Sequence, residues 1–196
     1  AGHSVGEYAA LYAAGAIDFA TGVRMVQKRG ELMHRQTGGA MAAVIGLDLS
    51  GVEQVLAGGG FSGIDIANLN APGQSIVSGL QAEVESAEQA FLDGGAKRYI
   101  PLKVSGAFHS RHMVAAAEEF GAFLEGCEFS EAGCPVVSNL EAQPYEFSRA
   151  REILKKQVHS PVRWVESIQY PRAQGEMEFL ELGPGRVLTG LLRRIR

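Results

Sequence analysis

The chain opens on Gly2-His3-Ser4-Val5-Gly6, a match to G-x-S-x-G. In that pattern a serine sits on a sharp, strained turn ahead of a helix, and the flanking glycines let the backbone fold tightly enough to expose its hydroxyl. A serine held this way becomes a nucleophile for an acyl group once a neighbouring base takes its proton. The helix that follows aims its unpaired N–H groups at the same point, where charge would develop on an attacked carbonyl oxygen. The Val5 N–H is the expected oxyanion donor.

Five histidines compete as the base. His3 is locked beside Ser4 and points elsewhere, as a structural or substrate-side residue. His34 and His112 fall in polar helical stretches, where a solvated imidazole is the ordinary outcome, and His159 precedes Ser160-Pro161 at a helix end that it can cap. His109 follows a strand, lies just after the short loop Ser105-Gly106-Ala107-Phe108 and precedes a helix. Loops at strand ends carry reactive groups on a fixed scaffold. On pattern alone His109 is as well read as a structural histidine as a base.

These residues need elements to position them. Val5, Tyr8, Leu11 and Tyr12 recur at helical spacing from Ser4 to a stop at Gly15. A second helix starts with Asp18 as N-cap and runs through Phe19, Val23, Val26, Gly30 and Met33, which would form its apolar stripe with Arg29 on the shoulder. Residues 41–46 read as a strand, 50–57 as a helix, 63–69 and 74–78 as a strand pair, 81–92 as a helix and 98–104 as a strand. That β-α-β-β-α-β order is the split βαβ, ferredoxin-like arrangement. Beyond it the spacing predicts a helix over 111–124, a strand over 135–138, a helix over 148–158, a strand over 177–182 and a last helix after Gly183-Pro184-Gly185. Strand-turn-helix alternation predicts a parallel sheet. The fold class is therefore α/β, with residues 1–39 and 105–196 forming one domain and residues 40–104 a ferredoxin-like subdomain inserted into it.

Composition narrows the function. A net charge of −4 argues against a protein that blankets nucleic acid or an anionic membrane. No apolar run approaches the roughly 18 residues of a membrane span. The chain reads as a soluble, cytoplasmic monomer with no bound cofactor and no metal. Cys127 and Cys134 have no His or Cys at ligand spacing and read as reduced structural thiols. The opening lacks Met and begins directly on the serine turn, so an upstream strand is expected to be missing.

Gly2-His3-Ser4-Val5-Gly6-Glu7-Tyr8, Arg29-Gly30, Asn70-Ala71-Pro72-Gly73-Gln74, Ser105-Gly106-Ala107-Phe108-His109-Ser110, Pro161-Val162-Arg163-Trp164 and Gly183-Pro184-Gly185-Arg186-Val187 follow one another in the chain. Six motifs in this order resemble the malonyl-CoA:acyl carrier protein transacylases along essentially the whole chain. The resemblance implies an α/β-hydrolase-like domain carrying a ferredoxin-like insertion. It implies malonyl-CoA and a phosphopantetheinylated acyl carrier protein as substrates, with no resident cofactor. By the same resemblance Ser4 is the acylated serine and His109 its base, oriented by the backbone carbonyl of Gln157. Arg29 pairs with the malonyl carboxylate, which suits its planar fork of donors, although an internal salt bridge to Glu7 or another acid is the competing reading. His3 and Asn70 border the acyl-thioester cleft, where Asn70 could equally be simple turn chemistry. Phe108, beside the base, leaves little room for an α-methyl and favours malonyl. Lys97 and Arg98 could meet coenzyme A phosphates or an acidic carrier.

The family's members begin with a strand and a glycine- and glutamine-rich turn that supplies a second oxyanion donor, and loss of one such donor typically lowers the rate about a hundred- to a thousandfold. One alternative is thus an impaired fragment that only binds carrier protein. Another is an esterase-type serine hydrolase, which would place an Asp or Glu between serine and histidine at a strand end. Asp48, Asp65 and Asp93 lie between them, all inside the inserted unit.

Overall fold

The computed structural model describes residues 1–175 and 178–195. Two helices lead: α1 (Gly6–Ala13) and α2 (Phe19–Arg35). The α1 helix starts two residues after Ser4, with Val5 at its N-cap. The Asp18 carboxylate accepts from Thr21 N at 2.8 Å and starts α2 as expected. The buried face of α2 is a correction to the expected stripe. It consists of Thr21, Met25, Arg29, Leu32 and Met33, while Phe19, Val23 and Val26 are exposed. An arginine and a threonine interrupt the true face, so apolar spacing alone picks out the neighbouring one. Arg29 is therefore at the centre of the packed side, not on its shoulder.

Next come β1 (Gly39–Ile45), α3 (Leu49–Gly58), β2 (Asp65–Ala71), β3 (Gln74–Leu80), α4 (Gln81–Ser86), α5 (Glu88–Asp93) and β4 (Arg98–Pro101). Helix α4 gives way to α5 at Ala87, whose backbone is still α-helical, so the single helix expected over 81–92 is kept in direction but not in continuity. The strands form one antiparallel sheet in the order β2-β3-β1-β4. Its side chains alternate between faces. Ala42, Val44 and Val77 pack with Val52, Val84 and Phe91 from the helices. Met41, Ala43, Ala67 and Ile76 line the opposite face with Leu102 and Phe108. That second face looks toward Ser4 and His109.

Four more α-helices follow among the described residues: α6 (Val114–Leu124), α7 (Ala150–Gln157), α8 (Trp164–Ala173) and α9 (Val187–Leu192). Tyr8, Leu11, Met25 and Leu32 form the largest core with Phe120, Ile153 and Leu154. Helix α8 escapes the sequence reading because Pro171 lies inside its last turn, where proline ordinarily signals a break.

The parallel sheet expected from residues 1–39 and 105–196 is not formed among the described residues. Residues 135–138 contribute only an antiparallel bridge, Val137 to Pro144. Residues 178–182 carry no strand, and residue 177 of that expectation lies outside the described residues. An extended segment becomes a strand only when another lies alongside within hydrogen-bonding reach for several residues; residues 135–138 meet only the short segment around Pro144, and residues 178–182 make no bridge among the described residues. Among the described residues a parallel contact joins Asn68 to Val162, through Leu69 N to Val162 O and Val162 N to Ala67 O, both 2.9 Å.

Candidate active site

Ser4 sits at φ 52°, in the left-handed region that side chains other than glycine's rarely adopt. The turn is tight enough that a Cβ on Gly2 would lie 1.9 Å from Gly6 O. Gly6 N donates to His3 O at 2.9 Å and Glu7 N to Ser4 O at 3.1 Å. Asn139 spans the turn from the far side, its Oδ1 taking Ser4 N and its Nδ2 donating to Gly2 O, each at 2.7 Å. The amides of Ser4, Gly6, Glu7 and Tyr8 are thus engaged, and that of Val5, between them at the start of α1, makes no such bond.

His109 meets Ser4 across the fold, with Ser4 Oγ 2.7 Å from His109 Nε2. The other ring nitrogen, Nδ1, is 2.9 Å from the carbonyl oxygen of Gln157. A carbonyl only accepts, so Nδ1 carries the proton and Nε2 presents a lone pair to the serine hydroxyl. Burial, reinforced by the positive charge of Arg29, lowers the imidazole to about 3 and keeps it neutral. The loop that holds it is packed hard: a Cβ on Gly39 would lie 2.2 Å from Ala107 N. His109 itself has φ 55°. After it, Arg111 N and Nε donate to the Asp65 carboxylate at 2.8 and 3.0 Å, tying the loop to β2.

Arg29 donates from Nη2 to Ser4 Oγ at 3.0 Å and to Gln157 Oε1 at 3.3 Å. Its Nε is buried with no partner. Glu7 does not pair with it. The Glu7 carboxylate accepts instead from Tyr145 OH, from Gln157 Nε2 at 2.9 Å and from Asn139 N at 3.2 Å, and burial raises it to about 7. His3 lies 2.8 Å from Asn70 Oδ1 through Nε2 and stands edge-on to Trp164. Burial lowers its pKa. A cavity of about 370 Å³ opens onto Ser4, His109, Arg29 and His3, with Met33, Met41, Leu102 and Phe108 as its apolar wall.

The expected residues Ser4, Val5, His109, Gln157, Arg29, His3, Asn70 and Phe108 are thus brought together. The other histidines are not. His34 is exposed at the cavity's rim, His112 faces Gly63 O, and His159 lines a second groove that His109 also borders, with no hydrogen bond between His159 and Ser4. Lys97 and Arg98 are exposed and line neither cavity. Cys127 is buried and Cys134 exposed, both as free thiols, so only the first has the packing role expected of the two. Among the described residues no three His, Cys, Asp or Glu side chains are grouped to hold a metal ion, and no helix is long and apolar enough to cross a membrane.

Sequence reading missed Glu7, Asn139, Tyr145 and the side chain of Gln157. An acidic residue in a first helical turn reads as a surface charge suiting the helix dipole. Glu7 is four residues before Leu11, on the buried face, and that spacing was the available signal.

The profile of the acyl transferase domain family matches residues 1–194. The chain is similar to the polyketide biosynthesis malonyl CoA-acyl carrier protein transacylase BaeC of Bacillus velezensis, with 50% identity over all of this chain and 68% of that protein. It is 49% identical to the polyketide biosynthesis protein PksE of Bacillus subtilis, again over the whole chain but over 26% of that protein. Among solved structures, a malonyl-transacylase in complex with its type II PKS acyl-carrier protein matches with TM-score 0.94 and 40% identity, over 98% of this chain and 64% of that one. The chain thus spans from about a quarter to about two thirds of the length of these relatives.

Proposed function

The chain belongs to the acyl transferase domain family, and from that premise we propose that it moves a malonyl group from malonyl-CoA, through an ester on Ser4, to the phosphopantetheine thiol of an acyl carrier protein in fatty acid or polyketide biosynthesis. The observation that carries this reading is the Ser4–His109–Gln157 relay, in which Arg29 also touches the serine hydroxyl. His109 Nε2 takes the hydroxyl proton as Ser4 Oγ attacks the thioester carbonyl. The C–S bond then breaks, and the proton passes to the departing coenzyme A thiolate. In the second half the carrier thiol gives its proton to His109 and attacks the seryl ester, the C–Oγ bond breaks, and His109 returns the proton to Ser4 Oγ, a ping-pong route. Val5 N–H holds the negative oxygen of each tetrahedral intermediate.

Arg29 gives specificity in this reading. A buried guanidinium donor without a partner is unfavourable, and a malonyl carboxylate in the cavity would satisfy Arg29 Nε. His3 and Asn70 hold each other at the cavity's polar end, and Phe108 limits the space at the α-carbon. An esterase is less well supported, because the group that orients His109 is a peptide carbonyl. Asp65 is committed to Arg111, and Asp48 to capping α3 at Gly51 N. The sheet order and the β-α-β-β-α-β sequence support assigning residues 40–104 to a ferredoxin-like subdomain. Residues 1–39 and 105–196 then belong to an α/β-hydrolase-like domain.

The test is intact-protein mass spectrometry after brief exposure to malonyl-CoA. One added malonyl group is expected on the wild-type chain and none on Ser4→Ala. Release of free malonate with no acyl-enzyme would favour a hydrolase, and acylation that survives Ser4→Ala would place the nucleophile elsewhere.

A further inference from the structure

Glu7 has no part in the chemistry just described, yet it is wholly buried three residues after Ser4, in the first turn of α1. Three donors from two chain segments converge on its carboxylate: Asn139 N, Tyr145 OH and Gln157 Nε2. Two of these partners in turn hold the reacting groups. Asn139 clamps the serine turn through Ser4 N and Gly2 O. Gln157 donates to Ser4 O at 3.0 Å, accepts from Arg29, and offers its own carbonyl to His109. The serine turn and the segment that orients the base therefore meet at one carboxyl group. Among the described residues no basic side chain pairs with it in a salt bridge.

We infer that Glu7 is a positioning residue, which fixes Ser4 and His109 relative to each other by accepting hydrogen bonds from Asn139, Tyr145 and Gln157. This rests on the reading of Ser4 as nucleophile and His109 as base. An acceptor is required at this place because all three partners present N–H or O–H groups. An apolar side chain of equal volume would leave them buried and unsatisfied, which is more damaging than a missing contact alone. A net charge is not required. Burial raises the carboxyl to about 7, so near neutral pH it is often protonated, and Tyr145 OH can then turn to accept. Glutamine reproduces that neutral form: its Oε1 takes Gln157 and Asn139, and its amide donates to Tyr145.

The discriminating pair is Glu7→Gln and Glu7→Met in the full chain. The readout is the rate at which a fluorophosphonate phosphonylates Ser4, which needs the activated serine but no malonyl group. It is taken together with the ¹⁵N signals of the His109 ring, which report a fixed Nδ1–H tautomer. Glu7→Gln should keep both, within about threefold in rate. Glu7→Met should slow labelling at least tenfold and lose the single-tautomer pattern. A Glu7→Met chain that labels as fast as wild type, or a Glu7→Gln chain that falls equally far, overturns the inference. Should Glu7→Met fail to fold, Tyr145→Phe removes one donor and keeps the ring, and two- to tenfold slower labelling is expected; an unchanged rate would sink the idea. Failure of the malonyl reading would show separately, as wild-type chain that reacts with fluorophosphonate but not with malonyl-CoA.

Discussion

Under the proposed function His109 must be neutral to accept the serine proton, and its surroundings hold its pKa well below the ordinary imidazole range. Burial and the nearby Arg29 charge lower it to about 3. A base with an ordinary pKa would lose half its activity near pH 6.5. Here the acylation rate is expected to stay level from pH 8 down to about pH 5, as read by stopped-flow kcat/KM. Half-loss near 6.5 would show that the free enzyme's imidazole is not held neutral. Arg29 makes a second prediction at this scale. Its hydrogen bond to Ser4 Oγ does not depend on the acyl donor, whereas under the proposed reading only a malonyl carboxylate would add a bidentate contact. Arg29→Ala should lower the malonyl-to-acetyl rate ratio about ten- to a hundredfold, since a charged hydrogen bond contributes roughly 1.5 to 3 kcal/mol. An unchanged ratio would reduce Arg29 to a packing group. Ser4 was legible because its motif is local, and His109 only as one of five histidines until the family's motifs singled it out. Glu7 and Asn139 were not legible, because their roles arise from contacts across more than 130 positions, Asn139 N to Glu7 and Asn139 Oδ1 to Ser4 N.

At the scale of elements, the two glycines of the serine motif have different jobs that the pattern alone does not separate. A methyl on Gly2 would run into backbone at Gly6 O, while a methyl on Gly6 would meet nothing within 4 Å. Gly6→Ala should therefore acylate nearly as wild type and lose no stability, because alanine favours the helix over glycine by about 1 kcal/mol. Gly2→Ala should unseat Asn139 Nδ2 from its carbonyl and abolish acylation. Intact mass after malonyl-CoA and a thermal melt of each variant check this; equal behaviour of the two would mean that the close approach of Gly2 to Gly6 does not shape the turn. Elements with local signals were legible in sequence, such as the Asp18 cap, the glycine turns and the four strands of the sheet. Helix α8 was hidden by Pro171, and the buried face of α2 by the polar residues it carries. The expected parallel sheet failed for another reason. Strand propensity is local, but pairing needs a second extended segment alongside; residues 135–138 find only the short one around Pro144, in antiparallel sense, and residues 178–182 make no bridge among the described residues.

Across the whole molecule, the same buried groups that prepare the site also make stability depend on pH. A histidine whose folded pKa lies below its unfolded value favours folding above the unfolded pKa and penalises it as pH falls, because the unfolded chain then binds a proton that the folded one refuses. For His109 the window runs from about 6.5 down to about 3. Glu7 acts in the opposite sense: its raised pKa gives a contribution that is fully present below about 4.5 and is lost as pH rises through about 7. The two partly cancel in the wild-type chain, so its acid limb alone does not report either group. A comparison with His109→Gln separates them, since Glu7 is common to both and glutamine fills similar space without titrating. One unmatched proton is worth about 1.4 kcal/mol per pH unit. From pH 7 to pH 5 the wild-type stability, measured relative to His109→Gln by urea unfolding, should therefore fall by about 2 kcal/mol. If the difference between the two chains is the same at both pH values, His109 titrates alike in the folded and unfolded states and is not enclosed as the relay with Ser4 and Gln157 requires.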